Sequence, residues 1–196
     1  MAQIDYFFAT MSPYAYLASD RLELLAARQG ANVVYKPVDL AGLYARTGGT
    51  ALVDRHPSRQ EYRLQDLRRQ AEKLGLKFNL KPAYWPVNGA PAAYAIIAAQ
   101  KAGGGNVGAL VQGMLKAVWA DQKDIADDEV VGDLLEANGF SRGLTFSGML
   151  TGADTYASNL EEAVLRGVFG SPFYLVGEER FWGQDRLDDL ERYLSR

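Results

Sequence analysis

Residues 4–17 read IDYFFATMSPYAYL, and the fold turns on where that stretch changes period. Ile4 to Ala9 is dominated by β-branched and aromatic residues and contains nothing that breaks extended geometry, which predicts a short buried strand. Thr10 and Met11 turn the chain. Ser12 and Pro13 carry a helix-start signature: the Ser hydroxyl can cap a free N–H, and Pro fits the first helical position because its missing N–H would have no helical partner. From Tyr14 the apolar residues Leu17, Ala18, Leu22 and Leu25 recur with helical spacing, predicting one helix that runs to Gly30. A strand therefore hands one hydroxyl to a helix N-terminus. Free N–H groups and the positive end of the dipole there favour an anion such as a thiolate, phosphate or carboxylate. The plain alternative is that Ser12 is only a cap.

Beyond Gly30, Asn32 to Lys36 (NVVYK) predicts a second strand, parallel to the first through a right-handed crossover. Asp39 to Arg46 suits a short helix, and Thr47 to Ser58 is polar, aperiodic and loop-like. Helical patterns then follow without an intervening strand: Arg59–Leu74, Asn88–Ala102, one through Leu110, Met114 and Trp119, Asp127–Ala137, and a weaker one over Ala153–Arg166. In the first of these, Leu64, Leu67, Ala71 and Leu74 form the apolar stripe and Arg63, Arg68, Arg69 and Lys73 fall off it, as on a solvated face. Pro172 then precedes Phe173–Val176, a Gly177 turn and Arg180–Trp182, which together predict a β-hairpin. Asp185 is placed to cap a last helix with Leu187, Leu190 and Leu194 inward. The order is βαβ, helices, ββα. That is an α/β domain formed by residues 1–38 and 155–196, with an all-helical insertion over 39–154.

Composition narrows the chemistry. With 48% apolar and 23% charged residues the chain can build a sizeable core, and a net charge of −3 supplies no basic field for nucleic acid or an anionic membrane. Cysteine is absent. Disulfides, thiolate metal sites and any protein thiol nucleophile are excluded with it. A single histidine, His56, rules out a multi-His metal site within one chain. No basic region followed by an apolar run marks an export signal, so cytoplasm is the expected location. The apolar stretch Val87–Ala99 is too short to span a bilayer and contains Pro91.

Several groups read as structure. Gly103–Gly105 lies between helices and lacks the Lys and Ser/Thr of a phosphate loop. Asp127, Asp128 and Glu129 suit a helix start, and Asp20 and Glu23 suit a solvated helix face. Two segments ask for more. Phe169-Gly170-Ser171-Pro172 puts Pro at the mouth of a core strand, where a cis peptide would present the Ser171 backbone to a ligand. Phe181-Trp182-Gly183-Gln184-Asp185-Arg186 brings polar side chains to a second helix N-terminus.

Ser12-Pro13-Tyr14-Ala15-Tyr16-Leu17, Gly167-Val168-Phe169-Gly170-Ser171-Pro172 and Phe181-Trp182-Gly183-Gln184-Asp185-Arg186-Leu187 together resemble the 2-hydroxychromene-2-carboxylate isomerase family. That family is close to the kappa-class glutathione transferases and has the DsbA-like thioredoxin fold. The likeness extends over nearly the whole chain, including the Tyr62/Asp66 helix and Trp85-Pro86-Val87-Asn88. It implies a glutathione-dependent isomerase of aromatic hydrocarbon catabolism that interconverts 2-hydroxychromene-2-carboxylate and trans-o-hydroxybenzylidenepyruvate-type compounds. By the same likeness Ser12 holds the glutathione sulfur, and Ser171 with the cis-Pro172 pairs with the cysteinyl part. Gln184 and Asp185 receive the γ-glutamyl end, Arg59 meets the glycyl carboxylate, and Asn88 lies toward the aromatic substrate. A homodimer is implied too. Three positions depart from the family pattern: Gly49 where Asn is usual, Ser171 where an apolar residue is common, and Gly89 with Pro91 after Asn88.

The resemblance leaves two rivals standing: a kappa-like transferase that conjugates electrophiles, and a thioredoxin-fold binding protein without catalysis. A dithiol oxidoreductase is excluded because the cysteines are missing.

Overall fold

The computed structural model describes residues 1–196. Its sheet is β2-β1-β3-β4, with β1 (Gln3–Phe8) parallel to β2 (Asn32–Pro37) and antiparallel to β3 (Phe173–Val176), which pairs in turn with β4 (Glu179–Trp182). Helices α1 (Pro13–Ala18) and α2 (Arg21–Gln29) make the first crossover. The helical section holds α3 (Leu40–Thr47), α4 (Pro57–Leu74), α5 (Ala90–Ala102), α6 (Val107–Trp119), α7 (Asp128–Ala137), α8 (Leu144–Ser147) and α9 (Met149–Leu165). After β4 a 3₁₀ turn, Gln184–Arg186, leads into α10 (Leu187–Leu194). This is the expected βαβ…ββα thioredoxin-like order.

Period two along β1 assigns the two faces of the sheet. Ile4, Tyr6 and Phe8 point into the larger core with α2, α5, α6 and α10, and Phe7 points into a smaller one with Leu43 of α3 and Ala163 of α9. The larger core is continuous from Ile4 and Tyr174 of the sheet to Met114 and Leu135 of the helical section. Helix α9 lies directly on α5: a side chain on Gly152 would run into the Tyr94 backbone, so only glycine permits that approach. No helix is long and apolar enough to cross a membrane.

Four local expectations are corrected. The single helix from Tyr14 to Gly30 is broken, because Ser19 adopts φ 51° and ψ −146° and the Arg21 side chain donates to the freed carbonyls of Leu17 (2.8 Å) and Ala18 (3.2 Å). Glu23 is not on a solvated face: it accepts from the Tyr35 hydroxyl at 3.0 Å, and burial raises its carboxyl above the usual range. Asp185 caps nothing, since the chain enters a 3₁₀ turn there and its carboxylate pairs with Arg186 at 3.1 Å. Asn88 stands two residues before the first helical residue and accepts from the Ala90 N–H at 3.1 Å, so α5 begins later than the Asn signal suggests.

Candidate active site

Ser12 is buried in the turn between β1 and α1. Its hydroxyl accepts from the Ala15 N–H at 3.3 Å and donates to the Ser171 carbonyl at 3.3 Å. Both bonds are at the long end of the normal range, so the O–H is oriented without being strongly engaged. The cap reading therefore holds, and the same geometry joins Ser12 to a residue 159 positions away.

The Ser171–Pro172 peptide is cis. The Ser171 hydroxyl accepts from the Ala9 N–H at 2.9 Å, so its side chain ties the strand end of β1 to the Pro172 loop. The Ser171 N–H donates to no protein acceptor. The Pro172 carbonyl accepts from the Gly183 N–H at 3.0 Å, which brings in the third segment. There the buried Gln184 is part of the framework: its side-chain oxygen accepts from Arg21, its backbone oxygen accepts from the same guanidinium at 3.1 Å, and its amide donates to Gln70 at 3.3 Å. Asp185, next to it, is exposed. Arg21 thus fastens the end of the Ser12 helix to the 184–186 turn, a role no sequence pattern announced.

Two hollows flank this junction. The first, about 550 Å³, is lined by Arg59 together with Gly49, Arg55, Phe169 and Trp182. His56 also lines it, and its ring accepts from the Ser58 N–H at 3.3 Å as the cap of α4. The second, about 280 Å³, holds Asn88 with Met11, Val87 and Tyr156. The Thr10 hydroxyl donates to the Gly89 carbonyl at 2.8 Å and links the Ser12 turn to that segment. Ser12, Ser171, Pro172 and Gln184 therefore form one connected junction, with Arg59 in one hollow and Asn88 in the other.

The departures from the family pattern have local causes. At Gly49 a side-chain carbon would fall onto Tyr44 Cδ1, so an Asn there requires the Tyr44 side chain or the loop to shift. At Gly89 it would fall on the Thr10 hydroxyl, and Ser171 is polar because its hydroxyl serves Ala9.

Electrostatics set the character of the first hollow. Arg55 and Arg59 line it together with Asp54, Arg63 joins those two arginines in an adjoining hollow, and none of the three arginines forms a salt bridge. The Tyr14 hydroxyl donates to Asp66 at 3.0 Å, and burial together with that carboxylate pushes its phenol well above the ordinary value, so it stays protonated. Unpaired arginines in the hollow, and a free N–H and a helix N-terminal hydroxyl at the junction beside it, all favour negative charge. Arg63 was missed by sequence reasoning. Its place off the apolar stripe has the same signature as a solvated arginine, and only its recurrence one turn after Arg59 hinted otherwise.

The DSBA-like thioredoxin domain family matches residues 3–195. A protein of Sphingobium xenophagum named 2-hydroxychromene-2-carboxylate isomerase is 29% identical over 195 residues, 97% of each chain. Another of that name from Pseudomonas sp. (strain C18) is 31% identical over 193 residues, 96% of this chain and 88% of the other. The solved structure of a 2-hydroxychromene-2-carboxylate isomerase superposes with a TM-score of 0.83 at 27% identity, covering 99% of this chain and 95% of that one. The chain thus belongs to the DSBA-like thioredoxin domain family and, within it, to the 2-hydroxychromene-2-carboxylate isomerase family.

Proposed function

We propose that this protein is a glutathione-dependent isomerase interconverting 2-hydroxychromene-2-carboxylate and trans-o-hydroxybenzylidenepyruvate-type compounds. The observation that carries the reading is the Ser12 hydroxyl, held at a helix N-terminus against the Ser171 carbonyl in a chain with no cysteine. The reaction must open a cyclic hemiketal and rotate a conjugated C=C bond, which calls for a soft nucleophile adding reversibly to the conjugated carbon. No side chain here provides one. Bound glutathione supplies that chemistry as a thiolate.

The residues present fit such a group. The Ser12 O–H, turned from the Ser171 carbonyl toward a sulfur, favours the charged form, and so does the end of α1. A hydrogen bond to an ion contributes about 1.5–3 kcal/mol, or roughly one to two pKa units on the thiol. The free N–H of Ser171 suits strand-like pairing with a cysteinyl residue. Exposed Asp185, paired with Arg186 through one oxygen only, suits an ammonium group, and Arg59, without an acidic partner, suits a carboxylate. Asn88, in the second hollow, lies toward the substrate by the family likeness. The chain acts as a cytoplasmic homodimer in this reading.

Calorimetry with glutathione, joined to the ultraviolet absorbance of bound thiolate, tests it in wild type and Ser12→Ala. Wild type is expected to bind and show a thiolate signal that Ser12→Ala loses. No binding at about millimolar glutathione would refute the cofactor. Stoichiometric conjugate in place of unconsumed glutathione would turn the reading toward a transferase.

A further inference from the structure

Arg63 is the one cation of the α4 face that is neither paired nor freely hydrated. It is half-buried, its guanidinium lies 5.4 Å from the centre of the Trp85 ring, and no carboxylate reaches it. Asp66, three residues on, is already engaged: it accepts from Tyr14 at 3.0 Å and from Gln70 at 3.4 Å. Burial, with Arg55 nearby, lowers the Arg63 pKa. Withdrawing a cation from water beside a second cation is unfavourable unless an anion completes the set. Arg55 is held by the Thr50 carbonyl at 2.9 Å, and Arg59 is exposed, so the incomplete partner is Arg63.

Its surroundings say which anion. A hollow of about 360 Å³ places Arg63 beside Tyr14 and Tyr62, and it meets the larger hollow through Arg55 and Arg59. Trp85 itself stands three residues before Asn88. A planar guanidinium fork takes a carboxylate through two parallel bonds, and aromatic walls take a conjugated ring beside it. We propose that Arg63 binds the carboxylate of the aromatic 2-oxo acid or hemiketal acid substrate and so selects acids over neutral enones. The inference rests on the isomerase reading for the substrate class, with Arg59 left to the glycyl carboxylate.

Binding separates the two. Trans-benzylidenepyruvate and its neutral counterpart trans-4-phenylbut-3-en-2-one are titrated into wild type, Arg63→Gln and Arg63→Lys, each with and without saturating S-methylglutathione. Arg63→Gln is expected to weaken the acid about 10- to 100-fold while changing the neutral ketone and glutathione by less than about twofold. Arg63→Lys, which keeps the charge and loses the fork, should fall between. Equal losses for acid and ketone, no loss for either, or a loss confined to glutathione would each overturn the proposal. If wild type ignores glutathione and Arg63→Gln still discriminates against the acid, the cofactor reading fails and the carboxylate site stands.

Discussion

Arg21→Ala should separate the Ser12 helix from the turn beside it. The Arg21 guanidinium donates to Leu17 O at 2.8 Å, Ala18 O at 3.2 Å and Gln184 O at 3.1 Å, and also to the Gln184 side-chain oxygen. These are bonds from a charged donor, each of which contributes about 1.5–3 kcal/mol in isolation. Three start from one nitrogen and Arg21 is partly hydrated, so they do not add; one such contribution for each of the two joined segments, diminished by water, gives about 2–4 kcal/mol. At about 2–4 °C per kcal/mol for a chain of this size, Tm should drop by roughly 4–16 °C. Urea unfolding followed by tryptophan fluorescence reads the loss, and amide exchange should quicken at 17–19 and 184–186 above the rest of the chain. Arg21→Lys restores the charge and at most one acceptor, so it should recover less than half. A loss under about 0.5 kcal/mol, or exchange that quickens uniformly, would refute the clamp.

Two other consequences concern groups far from the chemistry. Burial raises the Glu23 carboxyl, so the folded chain holds this proton more tightly than the unfolded one. Its contribution is full below the unfolded carboxylate range and is lost as pH rises through the raised folded value. Glu23→Gln, which still accepts from Tyr35, should thus be more stable than wild type at pH 7 with the gap closing toward pH 4; parallel urea midpoints across that range would contradict it. Gly49→Asn should cost about 1–3 kcal/mol by collision with Tyr44, and Tyr44→Ala should recover most of that. Thermal melts of the single and double variants decide the matter, and an unchanged melting point in Gly49→Asn would show that the loop simply moves.

Much of the architecture was legible because period and punctuation are local. The strand at Ile4, the cap at Ser12, the Asp127 cap of α7 and the hairpin at 173–182 all appear where their residues signal them. The breaks that were missed depend on distant partners. Ser19 can leave the helix because Arg21 satisfies the carbonyls it frees, and Asp185 does not cap because Gln184 is drawn down onto Arg21 and Gln70. Helix α8 is only four residues long, too short for periodicity to register.

The candidate site divides the same way. Sequence by itself determined the types of residue available: a hydroxyl at a helix start, a proline before a core strand, no thiol, and several arginines along α4. Those are properties of single positions and their neighbours. Tertiary structure alone decided that Ser12 reaches Ser171 across 159 residues, that Gln184 faces the framework, that Tyr44 crowds any side chain at Gly49, and that Arg63 lies over Trp85 while Arg68 on the same helix pairs in solvent with Glu72. The physical reason is that burial and partnership are relations between segments. An arginine's pattern on a helix is the same whether water or an indole covers it, and only the packed chain distinguishes them.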